Sequence, residues 1–157
     1  NEYLRDKTNL EKNPEKASMP LDHIQSFICC LQNSLNKNKN VEEGVIVYRG
    51  INKLKLPNDI GIGSKFYFRE FISTSRKEDK ARGFIRSHIG SLFIIKIKNN
   101  SKRNYCFDVA EYSVFKTESE ILLSSFCYFM VTGIERNAKG IDIVNLECEG
   151  FLLDNLI

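Results

Sequence analysis

From residue 44 onward, the apolar residues of this 157-residue chain stop recurring at spacings of three and four and run instead in short β-branched or alternating stretches. Gly44 to Ile51 is one such run and Leu92 to Ile97 is a second, buried one, while Ile121 to Leu123, Tyr128 to Glu135 and Ile141 to Glu147 read as three more strands. Lys65 to Ser73 alternates aromatic and polar residues, which predicts another strand with Phe66, Phe68 and Phe71 turned toward a core. Between these strands only Ser75 to His88 has a helical spacing, with Ala81 and Phe84 on one face. Strands therefore follow strands without the regular crossover helix that a parallel sheet requires. Neither G-x-G-x-x-G nor G-x-x-x-x-G-K-[ST] is present, so a dinucleotide would not be bound by the Rossmann route.

Ahead of the strands lies a helical part. Leu21, Ile24, Ile28, Leu31 and Leu35 mark one face of a helix over 21–35, with Asp22 near its start as a cap. Residues 1–20 are polar and interrupted at Asn13-Pro14 and Met19-Pro20, which leaves room for a short helix from Tyr3 to Leu10. The length fits one domain, able to bury roughly two-thirds of its unfolded surface without metals or staples. A net charge of +3 gives no expectation of nucleic-acid binding and at most helps attract an anionic small molecule. The longest apolar stretch, Ile121 to Ile134, contains Ser124, Ser125, Thr132 and Gly133, so it reads as strand, turn, strand and not as a membrane span. The chain opens on Asn1-Glu2-Tyr3 without an initiator Met or a signal peptide, which reads as a fragment or processed form and leaves localisation open.

Cys29, Cys30, Cys106, Cys127 and Cys148 form no CxxC pair, and neither they nor His23 and His88 have metal-ligand spacing, so no metal is expected. Buried free thiols are the default reading; a bridge from Cys29 or Cys30 to Cys148 stays open for a secreted protein. No Gly-x-Ser-x-Gly elbow surrounds any serine.

Three clusters can carry chemistry. Glu118 and Glu120 are two apart at the entrance to a strand; if both are extended they share a face, with Glu118 nearer the rim. Paired carboxylates suit a reaction that builds positive charge on a sugar carbon, although either glutamate alone reads as surface charge. Arg49 lies in phase with Val45, Val47 and Ile51 on an apolar strand, so its guanidinium needs an anion or several acceptors, from a ligand or from a neighbouring strand. Gly50 beside it would let a ligand approach the backbone closely. Ser73-Thr74-Ser75 places three hydroxyls at a strand end, fit to hold a carboxylate or to cap the next segment. The cations Arg76, Lys77, Lys80, Arg82 and Arg86 read mostly as a solvated helix face.

Taken in order, these elements resemble the R-S-E signature of the arginine-type mono-ADP-ribosyltransferases. Val47-Tyr48-Arg49-Gly50 is similar to that family's YRG strand, and Phe71-Ile72-Ser73-Thr74-Ser75 to its F-x-S-T-S. Ala81 to Phe84 with Leu92 to Ile95 resembles the segment after the serine motif, and Tyr112 to Leu123, with Thr117-Glu118-Ser119-Glu120 inside it, resembles the substrate-recognition loop running into the catalytic strand. Asn1 to Arg5 resembles the N-x-x-L-R of the helix before the core.

The resemblance implies an α+β fold: a helical amino-terminal part and two packed, mostly antiparallel sheets with NAD in the cleft between them. It implies a single catalytic domain over 1–157, its amino-terminal helix truncated. NAD would be the co-substrate, and a protein bearing an accessible arginine the acceptor; no metal, nucleic acid or membrane span is implied, and a monomer is expected. Arg49 would contact the NAD phosphates and nicotinamide ribose, and the Gly50 backbone the nicotinamide amide. Ser73 would position Glu120, supported by Thr74 and Ser75. Glu120 would stabilise the cationic sugar as nicotinamide leaves, and Glu118 would orient or deprotonate the acceptor guanidinium. Tyr112 and Phe115 would shape the acceptor surface. The chain departs from the family pattern after Leu123, where Ser124-Ser125 stands in place of a frequent proline and predicts a different turn. An NAD glycohydrolase, with water as acceptor, and a non-catalytic binding module on the same fold are the competing readings.

Overall fold

A computed structural model describes residues 41–98, 104–114 and 116–151, together with 26, 29–31, 33 and 34. Its strands are β1 (Ile46–Asn52), β2 (Lys65–Tyr67), β3 (Ile72–Ser75), β4 (Gly90–Ile97), β5 (Cys106–Asp108), β6 (Glu120–Leu123), β7 (Cys127–Glu135) and β8 (Ile141–Phe151), with one short helix, α1 (Glu78–Gly83), between β3 and β4. Residues 26, 29–31, 33 and 34 are helical, and Leu31 packs against Phe71, Phe107, Val109 and Leu122. The short helix expected over Tyr3 to Leu10 lies outside the described residues.

Two separate sheets were expected; the strands instead form one eight-stranded sheet in the order β2-β7-β8-β4-β1-β3-β6-β5. The reason lies in β1, which pairs on both edges. It runs antiparallel to β4 over seven residue pairs, from Ile46↔Lys96 to Asn52↔Gly90, but meets β3 only at Tyr48↔Ser75. That seam joins a large part, β2-β7-β8-β4-β1, to a small part, β3-β6-β5. The pairing is antiparallel throughout except for β4 with β8. The sheet folds back on itself, because Ile72 of β3 and Ile121 and Leu123 of β6 share one buried cluster with Phe93, Ile95, Phe129, Val144 and Leu146 of the large part. Tyr105, just before β5, donates its hydroxyl to the Cys148 carbonyl of β8 at 3.4 Å, so strands far apart in the sheet order touch.

The alternating stretch Lys65 to Ser73 is likewise two strands and not one. β2 pairs with β7, β3 pairs with β6, and the chain crosses from the large part to the small part between them. The aromatic alternation continues through the crossing because both sides are buried: Phe66 and Phe68 pack at the main core and Phe71 in the smaller cluster with Phe107. Ile121 to Ile134 is strand, turn, strand as read, and no helix among the described residues is long and apolar enough to cross a membrane.

All five cysteines are free; Cys106, Cys127 and Cys148 are buried, as the default reading had it, whereas Cys29 and Cys30 are exposed. The bridge to Cys148 is therefore not formed. Burial, reinforced by neighbouring Cys148, pushes the Cys106 thiol well up, and burial does the same for Cys127, so neither is a thiolate nucleophile near neutral pH.

Lys55 and Asp142 form an ion pair at the start of β8. Lys55 donates to Asp142 Oδ1 at 2.8 Å and to the Asn137 and Gly140 carbonyls at 2.7 and 2.6 Å, and Asp142 also accepts from the Asn137 amide at 2.8 Å. Burial pushes the Asp142 carboxyl up, but the hydrogen bonds from Lys55 and Asn137 with the charges of Lys55 and Arg136 outweigh it and hold the group below its usual 3.8. A depressed folded value contributes stability that is complete above the ordinary value and is lost as the pH falls through the folded one. Asp142→Ala is therefore expected to cost about 2–3 kcal/mol at pH 7, the worth of hydrogen bonds to a charged group. Urea unfolding should show the gap from the parent narrowing below pH 4; a gap independent of pH would contradict the assignment.

Candidate active site

β1 leaves the β3 ladder after Tyr48↔Ser75, and a cleft of about 200 Å³ opens where the strands part. It is lined by Tyr48, Arg49 and Gly50 of β1, Ser73, Thr74 and Ser75 of β3, Ala81 of α1, Phe84 and Glu118. Six of the residues singled out in the sequence thus meet in one place. Arg49 bridges the gap left by the lost ladder, Nη1 donating to the Ser73 carbonyl at 3.0 Å, and Nη2 lies 3.5 Å from Glu70 Oε1. Of the two kinds of partner weighed for this arginine, the neighbouring segment is the one present, and Arg49 also lines the cleft.

Glu120 opens β6 opposite Ser75, one diagonal step from Ser73. The Ser73 hydroxyl donates to Glu120 Oε1 at 2.5 Å, which fixes the carboxylate beside the cleft wall. The other two hydroxyls hold backbone: Thr74, buried, donates to the Ile121 carbonyl at 2.7 Å, and Ser75 to the Glu118 carbonyl at 2.5 Å while accepting from the Lys77 amide at 3.0 Å. The three hydroxyls therefore divide the work, one on the carboxylate and two on the chain that carries it.

Glu118 and Glu120 do not form the extended pair that a two-residue period predicts. Glu118 closes a 3-10 turn (Lys116–Glu118), and Ser119 has φ of 49°, a left-handed conformation uncommon for a residue with a side chain. The kink places Glu118 in the cleft lining while Glu120 sits in the strand. It is secured by the Arg76 amide on the Ser119 carbonyl at 3.1 Å and by Lys77 Nζ on the Thr117 carbonyl at 3.2 Å. Arg76 also pairs with Asp108 of β5 at 3.2 Å, so its amide holds the loop before β6 and its guanidinium the neighbouring strand. Tyr112 lies on that loop and is 72% exposed, available to an incoming surface. Phe115 lies outside the described residues.

Gly50 lines the cleft and also meets a packing demand. A Cβ there would sit 1.9 Å from the Ala81 carbonyl oxygen and 3.0 Å from Ile85 Cγ1, so the missing side chain is what lets α1 lie on β1. Ala81 and Ile85 are buried with Leu92, whereas Phe84, spaced with Ala81 for one helical face, is 53% exposed and lines the cleft. Tyr48, Ala81, Phe84 and Glu70 were not assigned to the site from the sequence; spacing marked Ala81 and Phe84 only as one helical face. Tyr48 was visible only as part of the strand motif, and Glu70 carried no signal distinguishing it from surface charge.

A sequence profile of the ADP-ribosyltransferase exoenzymes matches residues 1–149. The chain belongs to the ADP-ribosyltransferase exoenzyme family. A comparison with curated protein sequences returned no match. Among solved structures, this ADP-ribosyltransferase is similar to the Vis toxin of Vibrio splendidus, at 25% identity and a TM-score of 0.66 over 84% of this chain and 62% of that one. It is also similar to exoenzyme S of Pseudomonas aeruginosa, solved with 14-3-3 protein beta and Carba-NAD, at 20% identity and 0.63 over 95% and 74%. The eukaryotic mono-ADP-ribosyltransferase ART2.2 matches at 20% identity and 0.63 over 92% and 57%. Members of the family use NAD as co-substrate.

The residues present fit that co-substrate. One guanidinium, a hydroxyl-fixed carboxylate, a second carboxylate and an exposed aromatic ring line or border the cleft. Its volume is below that of pockets enclosing a whole drug-sized ligand, so it suits one end of a dinucleotide with the rest along open surface. Among the described residues no group of three or more His, Cys, Asp or Glu could hold a metal ion.

Proposed function

We propose that the chain transfers ADP-ribose from NAD to the guanidinium of a protein arginine and releases nicotinamide. The observation that carries this reading is the Ser73–Glu120 hydrogen bond at the edge of a cleft that also holds Arg49 and Glu118. Arg49 meets the diphosphate and nicotinamide ribose, its planar fork suited to anionic oxygens. The Gly50 backbone meets the nicotinamide amide, and the Phe84 ring offers an apolar face beside it. The bond that breaks joins the ribose anomeric carbon to the pyridinium nitrogen. Its electron pair leaves with the ring, which departs neutral, so little acid catalysis is needed. Glu120, held by Ser73, stabilises the positive charge that develops on the sugar. Glu118 faces the acceptor, and Tyr112 lies on the rim where a protein surface approaches.

An arginine guanidinium is protonated in water and a poor nucleophile. As one of its nitrogens bonds to the sugar carbon, a proton must leave, and Glu118 is the base within the cleft placed to take it. Agmatine, the small guanidine present in one Vis structure, is the natural probe. With NAD and agmatine, Glu118→Gln is expected to lower formation of ADP-ribosyl-agmatine by about 10²-fold, the usual worth of a positioned base, while hydrolysis to free ADP-ribose falls much less. Equal loss of both products would overturn the division of labour, and hydrolysis as the only reaction of the parent would make water the acceptor.

A further inference from the structure

The Arg49 guanidinium is anchored on two sides within the protein itself. Nη1 bonds the Ser73 carbonyl at 3.0 Å and Nη2 lies 3.5 Å from Glu70 Oε1, with the two side chains only 11% and 16% exposed. Glu70 stands in the crossing between β2 and β3, two residues before the start of the strand that carries Ser73. A continuous polar chain therefore runs Glu70–Arg49–Ser73–Glu120. At this burial a charge pair is screened far less than on open surface.

We propose that Glu70 is a positioning residue of the dinucleotide site: it fixes the Arg49 fork against β3 and, by its charge, weakens the pull of Arg49 on the diphosphate. The inference rests on the reading that Arg49 meets the diphosphate. A carboxylate beside that arginine does two separable things. It presents an acceptor oxygen that orients the guanidinium, and it places a negative charge near a site meant for an anion. An amide at position 70 keeps the length and the acceptor oxygen but removes the charge. Glu70→Gln should therefore bind the dinucleotide more tightly than the parent, the opposite of what a purely structural role for Glu70 would give.

The test is calorimetric titration of the whole chain with Carba-NAD, accompanied by thermal melting. Glu70→Gln is expected to lower Kd by about 3- to 10-fold, a shift typical of removing one like charge from a partly solvated site. The gain should shrink as salt rises, and it should vanish in an Arg49→Met background because the charge acts through that arginine. Glu70→Asp, which draws the carboxylate back by one methylene, should give a smaller gain, and it serves as the measure if the Gln variant does not fold. Unchanged or weaker binding in the variant that is measured would overturn the proposal, as would an equal gain with and without Arg49. If the parent itself does not bind Carba-NAD, the proposed function falls together with this inference; if the parent binds and the Glu70 variants match it, only this inference falls.

Discussion

Glu120→Gln is expected to slow nicotinamide release from NAD by about 10²–10³-fold, the usual loss when one preorganised electrostatic group is removed from a transition state. The substitution is nearly isosteric, and the amide oxygen can still accept the Ser73 hydroxyl that holds Oε1 at 2.5 Å. Geometry is therefore conserved and charge is not. The backbone around residue 120 depends on other groups: the Ser75↔Glu120 ladder position, the Val109 amide on the Glu120 carbonyl at 3.1 Å, and Thr74 on the neighbouring Ile121 carbonyl. The melting temperature should accordingly move by no more than about 3 °C. Rapid-quench measurement of nicotinamide together with a thermal melt separates the two effects. A release rate within about threefold of the parent would leave Glu120 without the electrostatic role given to it, since even one lost hydrogen-bond donor in such a site costs more.

Gly50→Ala should produce a large loss of stability, because its Cβ would fall 1.9 Å from the Ala81 carbonyl oxygen and 2.9 Å from the carbonyl carbon. These are backbone atoms, which cannot rotate aside as a side chain can, so α1 must move away from β1. Overpacking of this kind costs about 3 kcal/mol or more. In a domain of this size that is a fall of roughly 6–12 °C in Tm. The displaced helix carries Ala81 and is followed by Phe84, both of which line the cleft, so Carba-NAD affinity should fall with stability. Gly83→Ala is the control at the end of the same helix: nothing lies within 4 Å of its added Cβ, and its effect should stay within about 0.5 kcal/mol. If the two variants melt together, the packing explanation of Gly50 is wrong.

The strands whose residues are β-branched and continuous, β1, β4, β7 and β8, were legible from the sequence because each buries at least one face and few alternatives accommodate such runs. The break between β2 and β3 was not, because alternation reports that a face is buried and not which strand it pairs with. A single sheet instead of two depended on one residue pair, Tyr48↔Ser75, and no local pattern encodes that. Of the residues around the cleft, Arg49, the three hydroxyls of Ser73 to Ser75 and the two glutamates were singled out by residue type and order. The relation between Glu118 and Glu120 was misread because the positive φ of Ser119 resets the phase, and serine gives no warning of it. The reason for Gly50 and the partnership of Glu70 with Arg49 both arise from segments distant in sequence, so only the assembled fold reveals them.

The proposed reaction is cleavage of NAD in this cleft and delivery of ADP-ribose to a guanidinium. The measurement that meets it most directly is mass spectrometry of the products formed from NAD and agmatine, with nicotinamide counted in the same sample. The expected result is ADP-ribosyl-agmatine formed in step with nicotinamide, with both lost in Glu120→Gln. Nicotinamide with free ADP-ribose and no modified guanidine would contradict transfer to arginine, and no nicotinamide at all would contradict the cleavage on which the rest depends.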